Sequence, residues 1–124
     1  MAARRRGADE EDYVLRVIRQ AAEALRLLRL RLAGGRDAPA LVRRQAAAAV
    51  EGLLGRDAPL LRHLDAASAV RLVGDPRRVA LWAGLLDVEA EAARAEGDAQ
   101  SAAARSVRAA ALRAAAGLAP DAAA

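Results

Sequence analysis

The stretch Gly35-Arg36-Asp37-Ala38-Pro39 returns unchanged twenty residues later as Gly55-Arg56-Asp57-Ala58-Pro59, and parts of it recur at Gly74-Asp75-Pro76 and Gly97-Asp98. Each piece has a physical meaning at a helix boundary. Glycine takes up the left-handed conformation that closes a helix, and aspartate accepts hydrogen bonds from the free N–H groups that open the next. Proline fits the first helical turn, where its missing N–H has no partner to lose. Read this way the chain is a string of helices over residues 10–33, 38–54, 76–96 and 99–117. Between the second and third lie a helical turn at 58–63 and a brief helix at 66–73 capped by Asp65. The two identical pentapeptides are each followed by an apolar pair, Leu41-Val42 and Leu60-Leu61, but the sequences diverge after that.

Composition points the same way. Ala, Leu, Arg and Glu fill roughly two-thirds of the 124 residues, beyond the half that already signals long helices. Phe, Thr, Cys and Lys are absent, and Val with the single Ile occupies only about a tenth of the positions, so residues suited to a pleated sheet are scarce. The expected fold is all-α: a small helical bundle of four main helices plus a short helical connector at 58–73. It forms one domain at 9–118, with a disordered basic tail at 1–8 and a frayed C-terminus at 119–124.

The absence of cysteine excludes a disulfide framework and thiolate chemistry, which makes the cytoplasm the expected location. Arg or Glu interrupts every long apolar stretch, so no membrane span is expected. Acids at residues 9–12 follow Arg4, Arg5 and Arg6 where the apolar part of an export signal would begin. The pI of 11.1 overstates the basicity, because all twenty basic residues are Arg and the net charge is only +4. That charge is uneven: residues 1–36 sum to +4, residues 37–78 to +2 and residues 79–124 to −2.

In the first helix Val14, Ile18, Ala21, Leu25, Leu28 and Leu32 follow four-three spacing, and Leu15, Val17, Ala22, Ala24 and Leu27 widen the stripe. With Leu30 the apolar surface exceeds half the circumference, more than one small bundle covers. Leu15, Leu27 and Leu30 are therefore the candidate residues of a homodimer interface. In the helix at 76–96, Val79, Trp82, Leu86 and Ala93 form the expected buried line, with Asp87, Glu91 and Arg94 outward. The last helix turns alanines inward at 102, 103, 109 and 110, which allows close approach but little buried area.

The run Asp12-Tyr13-Val14-Leu15-Arg16-Val17-Ile18-Arg19-Gln20 resembles the opening of a family of short bacterial proteins of unknown function. Leu53-Leu54-Gly55, the turn from Leu60-Leu61 to Leu64-Asp65, and Leu85-Leu86 resemble its later features in order. The resemblance implies a helical fold and no catalytic residues. Residues 79–120 also resemble a tetratricopeptide repeat, through Trp82 with Leu85, the Gly97-Asp98 turn, Ala111-Leu112 and Pro120. Leu86 and Glu89 depart from its small and aromatic positions, leaving a repeat-like C-terminal hairpin.

No residue set supports an enzyme. His63 is the single histidine and has no nucleophile in its segment. Glu89, Glu91, Glu96 and Asp98 read as a solvated acidic face, since Glu89 and Glu91 diverge around a helix. Phosphate-loop, zinc-protease and nucleophile-elbow motifs are absent. The expected role is a non-enzymatic interaction or structural protein without cofactor, metal or small-molecule substrate, whose partner is a second copy or another protein. The alternative is weak nucleic-acid binding, with Arg4, Arg5, Arg6, Arg19 and Arg26 on phosphates. Against it stand the interleaved acids and the presence of only two aromatics, Tyr13 and Trp82.

Overall fold

A computed structural model describes residues 2–122, with side chains described from residue 9 onward. The elements are α1 (Ala2–Gly34), α2 (Pro39–Leu54), a 3-10 turn at Gly55–Asp57, α3 (Ala58–His63), α4 (Ala66–Val73), α5 (Pro76–Ala95) and α6 (Ala99–Ala115). The fold is a small all-helical bundle, and no strand occurs among the described residues. From α2 onward the helices start within a residue of the positions read from the Gly-Asp-Pro punctuation. α1 begins instead at Ala2, so backbone expected as tail continues the helix; the side chains of residues 2–8, including Arg4, Arg5 and Arg6, lie outside the described residues.

The caps divide by where proline stands. At Asp75-Pro76 and Asp65-Ala66 the aspartate is the residue just before the helix. Asp75 accepts from the Arg77 N–H at 2.9 Å and Asp65 from the Ser68 N–H at 3.1 Å. In Asp37-Ala38-Pro39 the residue before proline is Ala38, which the proline ring pushes into extended backbone (ψ 131°), so Ala38 takes the cap position and Asp37 caps nothing. Asp57 lies in the 3-10 turn that runs straight into α3 and makes no cap bond either. The expected aspartate cap bond is thus absent at both copies of the pentapeptide, at the first because Ala38 takes the cap position and at the second because Asp57 holds it in helical backbone. Between α5 and α6, the Asp98 N–H reaches the Ala93 carbonyl at 2.9 Å and the Gly97 N–H reaches that of Arg94 at 3.0 Å. Gly97 sits at φ 81°, where only glycine is unstrained, and Asp98 then caps α6 through the Ser101 N–H.

α5 is the centre of the bundle, and this corrects the amphipathic reading of that segment. Its buried residues include the unbroken run Val79 to Leu86 together with Val88, Glu89, Ala90, Ala92 and Ala93. A helix that is apolar nearly all round belongs inside. It packs most extensively against α6, then α2 and α1. The alanines of α6 also do more than expected. Ala102 and Ala109, with Leu112, are buried where α6 meets α5, and the small side chains on both helices allow dense contact rather than a poor one; Ala103 and Ala110 face solvent. α1 contributes Val17, Ala21, Leu25 and Leu28 to the core, with Ile18 and Leu32 packed at its edge. At about 50 Å, α1 is roughly twice as long as α2, so its N-terminal third extends past the residues that anchor it.

Candidate functional site

Two surfaces carry the chemistry. The first is the outer face of α1. Leu15, Leu27 and Leu30 are exposed at 36%, 42% and 58%, and Tyr13 is exposed beside Arg16, whose guanidinium lies 5.8 Å from the ring centroid. Leu27 and Leu30 are neighbours on one turn, whereas Leu15 is about 18 Å away along the axis. Arg19, Glu23 and Arg26 are exposed on the stretch between them, and Arg26 is held by Glu23 at 2.6 Å. Leu15 also borders a shallow groove of about 590 Å³ lined by Glu10, Glu11 and Val14 of α1 with Asp75 and Arg77 at the start of α5. Of the candidate phosphate contacts, Arg19 and Arg26 are solvent-exposed, and Arg26 already serves a carboxylate.

The second surface was not anticipated from the sequence. A cleft of about 450 Å³ opens between α2, α3, α5 and α6, lined by Ala47, Val50, Arg62, Trp82, Leu86, Glu89, Arg105 and Arg108. Four elements bring these together. α5 places Trp82, Leu86 and Glu89 on one face by four-three spacing, and α6 places Arg105 and Arg108 one turn apart. α3 supplies Arg62, and α2 closes the side with Ala47 and Val50.

The indole of Trp82 is 2% exposed, and Arg108 lies over it with Cζ 5.4 Å from the ring centroid, a cation–π contact. Arg108 also donates from Nη2 to the Leu61 carbonyl at 2.9 Å, satisfying a carbonyl near the C-terminal end of α3. Burial lowers its pKa, with Asp65 acting in the opposite direction, yet no carboxylate comes within ion-pair distance among the described residues. The guanidinium remains charged at neutral pH regardless.

Glu89 is not on a solvated face as expected: it is 6% exposed, facing Arg105 with Nε 3.6 Å from Oε1. Burial pushes its pKa up, against the charges of Arg105, Arg43 and Arg62. The rest of the acidic group is spread out. Glu96 and Asp98 both bind Arg43 of α2, at 3.4 and 3.2 Å, and Glu91 faces solvent. Arg62 pairs with Glu51 of α2 across the cleft rim. His63 is exposed at the end of α3, and no group of three potential metal ligands occurs among the described residues. A tryptophan and a carboxylate seven residues apart, followed on the next helix by Arg105 and Arg108, was the signal available in the sequence. It became readable only with the helices packed.

No family model matches the chain, and no curated protein and no solved structure matches it. No helix among the described residues is long and apolar enough to cross a membrane.

Proposed function

We propose that the chain is a non-enzymatic helical interaction protein, working in the cytoplasm without a cofactor, that self-associates through the outer face of α1. The observation that carries this reading is the exposure of Leu15, Leu27 and Leu30 on a helix that outruns its own bundle. Charge along α1 gives the pairing a direction. Among the described side chains, Asp9, Glu10, Glu11 and Asp12 lie toward one end and Arg26, Arg29 and Arg31 toward the other. Two parallel copies would set like charges side by side, whereas two antiparallel copies bring acids onto arginines. In that arrangement the two-fold axis passes near residues 21–22, Leu15 of one copy rests between Leu27 and Leu30 of the other, and Arg19 stands beside Glu23. The groove at Glu10 and Glu11 then receives the arginine-bearing end of the second copy.

Within this proposal α1, α2, α5 and α6 are the four main helices of the bundle. α5 and α6 form a repeat-like hairpin, supported by their three-residue turn and dense packing. Membership of the short bacterial family that the Asp12–Gln20 run resembles is part of the same reading. The test is molar mass by size exclusion with light scattering at about 100 μM. The wild type runs at twice the mass of one chain, and the double variant Leu27→Glu, Leu30→Glu runs as a folded single chain. A wild type already at single-chain mass overturns the proposal.

A further inference from the structure

The structure assigns a ligand site to the cleft between α2, α3, α5 and α6: we infer that it binds a small organic monocarboxylate with an apolar body. None of its lining residues belongs to α1, so this inference is independent of the self-association surface.

The floor and the rim differ in character. Ala47, Val50, Trp82 and Leu86 offer an apolar floor, and Arg62, Arg105 and Arg108 supply cations at its edge. A volume of about 450 Å³ lies within the range of small-molecule sites, which are typically apolar with a few converging polar groups. Two of the three cations are already answered. Arg62 faces Glu51, and Arg105 faces the buried Glu89. Arg108 is half-buried, clamped between the Trp82 face and the Leu61 carbonyl, which takes one of the two Nη2 protons; the other Nη2 proton, with the neighbouring Nε and Nη1 donors, is given no partner among the described residues. A guanidinium held flat by stacking and one hydrogen bond loses little freedom on binding, and its planar donor fork matches a carboxylate. One unanswered cation above an apolar floor calls for one negative charge on an apolar body. A phosphate monoester would bring nearly two charges next to the Glu89 carboxylate, so the site disfavours it.

The experiment titrates the full chain with sodium octanoate and follows the fluorescence of Trp82, the single tryptophan. 1-Octanol serves as the uncharged equivalent and inorganic phosphate as competitor. Octanoate is expected to produce a saturable change with an affinity at least tenfold above that of 1-octanol, and equimolar phosphate is expected not to displace it. Arg108→Lys, which keeps the charge and loses the fork, weakens octanoate at least tenfold. Because Arg108 also packs on Trp82, Arg105→Gln on the exposed rim is measured in parallel, with helicity checked by circular dichroism; it leaves the Glu89 carboxylate unanswered beside the negative charge of the ligand and so weakens octanoate at least threefold with helicity unchanged. Octanol binding as tightly as octanoate, displacement by phosphate, no saturable change, or a folded Arg105→Gln with unaltered affinity would each overturn the assignment.

Discussion

Arg113 of α6 is buried yet reaches Asp87 of α5 with Nη2 2.6 Å from Oδ2, and the Nε of the same guanidinium donates to the Ala122 carbonyl at 2.8 Å. One side chain thus ties the two most extensively packed helices together and holds the segment after α6, which composition alone marked as frayed; residues 123 and 124 lie outside the described ones. Asp87 remains about half-exposed, so the pair is screened on one side. Arg113→Met keeps much of the apolar packing and removes both ties. Its expected cost is about 2 kcal/mol, below the range for a fully buried pair, read as a lower urea midpoint with an unchanged slope.

Trp82 is the largest side chain in the core and sits on the central helix. Trp82→Ala is expected to cost about 3 to 5 kcal/mol in urea unfolding, because α2, α5 and α6 cannot all collapse into the space left. A loss below about 1 kcal/mol would show that the cleft closes over the deletion, contrary to the packing described.

The two kinds of Gly-Asp-Pro boundary differ energetically although they look alike. Asp75 caps α5, so Asp75→Ala is expected to lower stability by about 1 kcal/mol. Asp37 caps nothing, and its contact with Arg31 is 3.9 Å at the surface, so Asp37→Ala should stay within about 0.5 kcal/mol of wild type. Parallel thermal melts of the two variants compare them directly.

That contrast shows how much of the molecule was legible in advance. Helix starts at Pro39, Ala58, Pro76 and Ala99 followed from glycine and proline, and the start at Ala66 from the Asp65 cap, all of them local backbone preferences. The cap role of Asp37 was misread because it depends on which residue precedes the proline. The centrality of α5 was misread for another reason: Asp87, Glu89 and Glu91 suggested a solvated face, and they outweighed the unbroken apolar run from Val79 to Leu86. Asp87 and Glu89 gain arginine partners only when α6 lies against α5. The exposed Leu15, Leu27 and Leu30 were visible as an excess of apolar surface. The cleft was not, since α2, α3, α5 and α6 each supply only one to three of its residues.

Stability should depend on pH through groups shifted in opposite directions. Burial raises the pKa of Glu89, so the folded chain holds that proton more tightly than the unfolded chain does. Its contribution is therefore fully present below the ordinary glutamate range and is lost as pH rises through the raised value. Asp65, Asp75 and Asp98 are lowered, chiefly by hydrogen bonds from Ser68, Arg77 and Ser101 respectively. Their contribution is present above the ordinary aspartate range and lost as pH falls through their depressed values. Glu89→Gln is accordingly expected to melt above wild type at pH 7, with the difference closing toward pH 4. A difference that widens on acidification would contradict the burial assigned to Glu89.

The pairing of two α1 helices is tested most directly by cross-linking, because the chain has no cysteine of its own. Leu15→Cys and Leu30→Cys are made as separate single variants and treated with a short bis-maleimide, alone and mixed. Antiparallel pairing predicts little covalent dimer from either variant alone, since like positions stand about 20 Å or more apart. From the mixture it predicts abundant covalent dimer that joins position 15 of one copy to position 30 of the other. Abundant dimer from each single variant would establish parallel pairing, and no dimer in any tube would contradict self-association through α1 altogether.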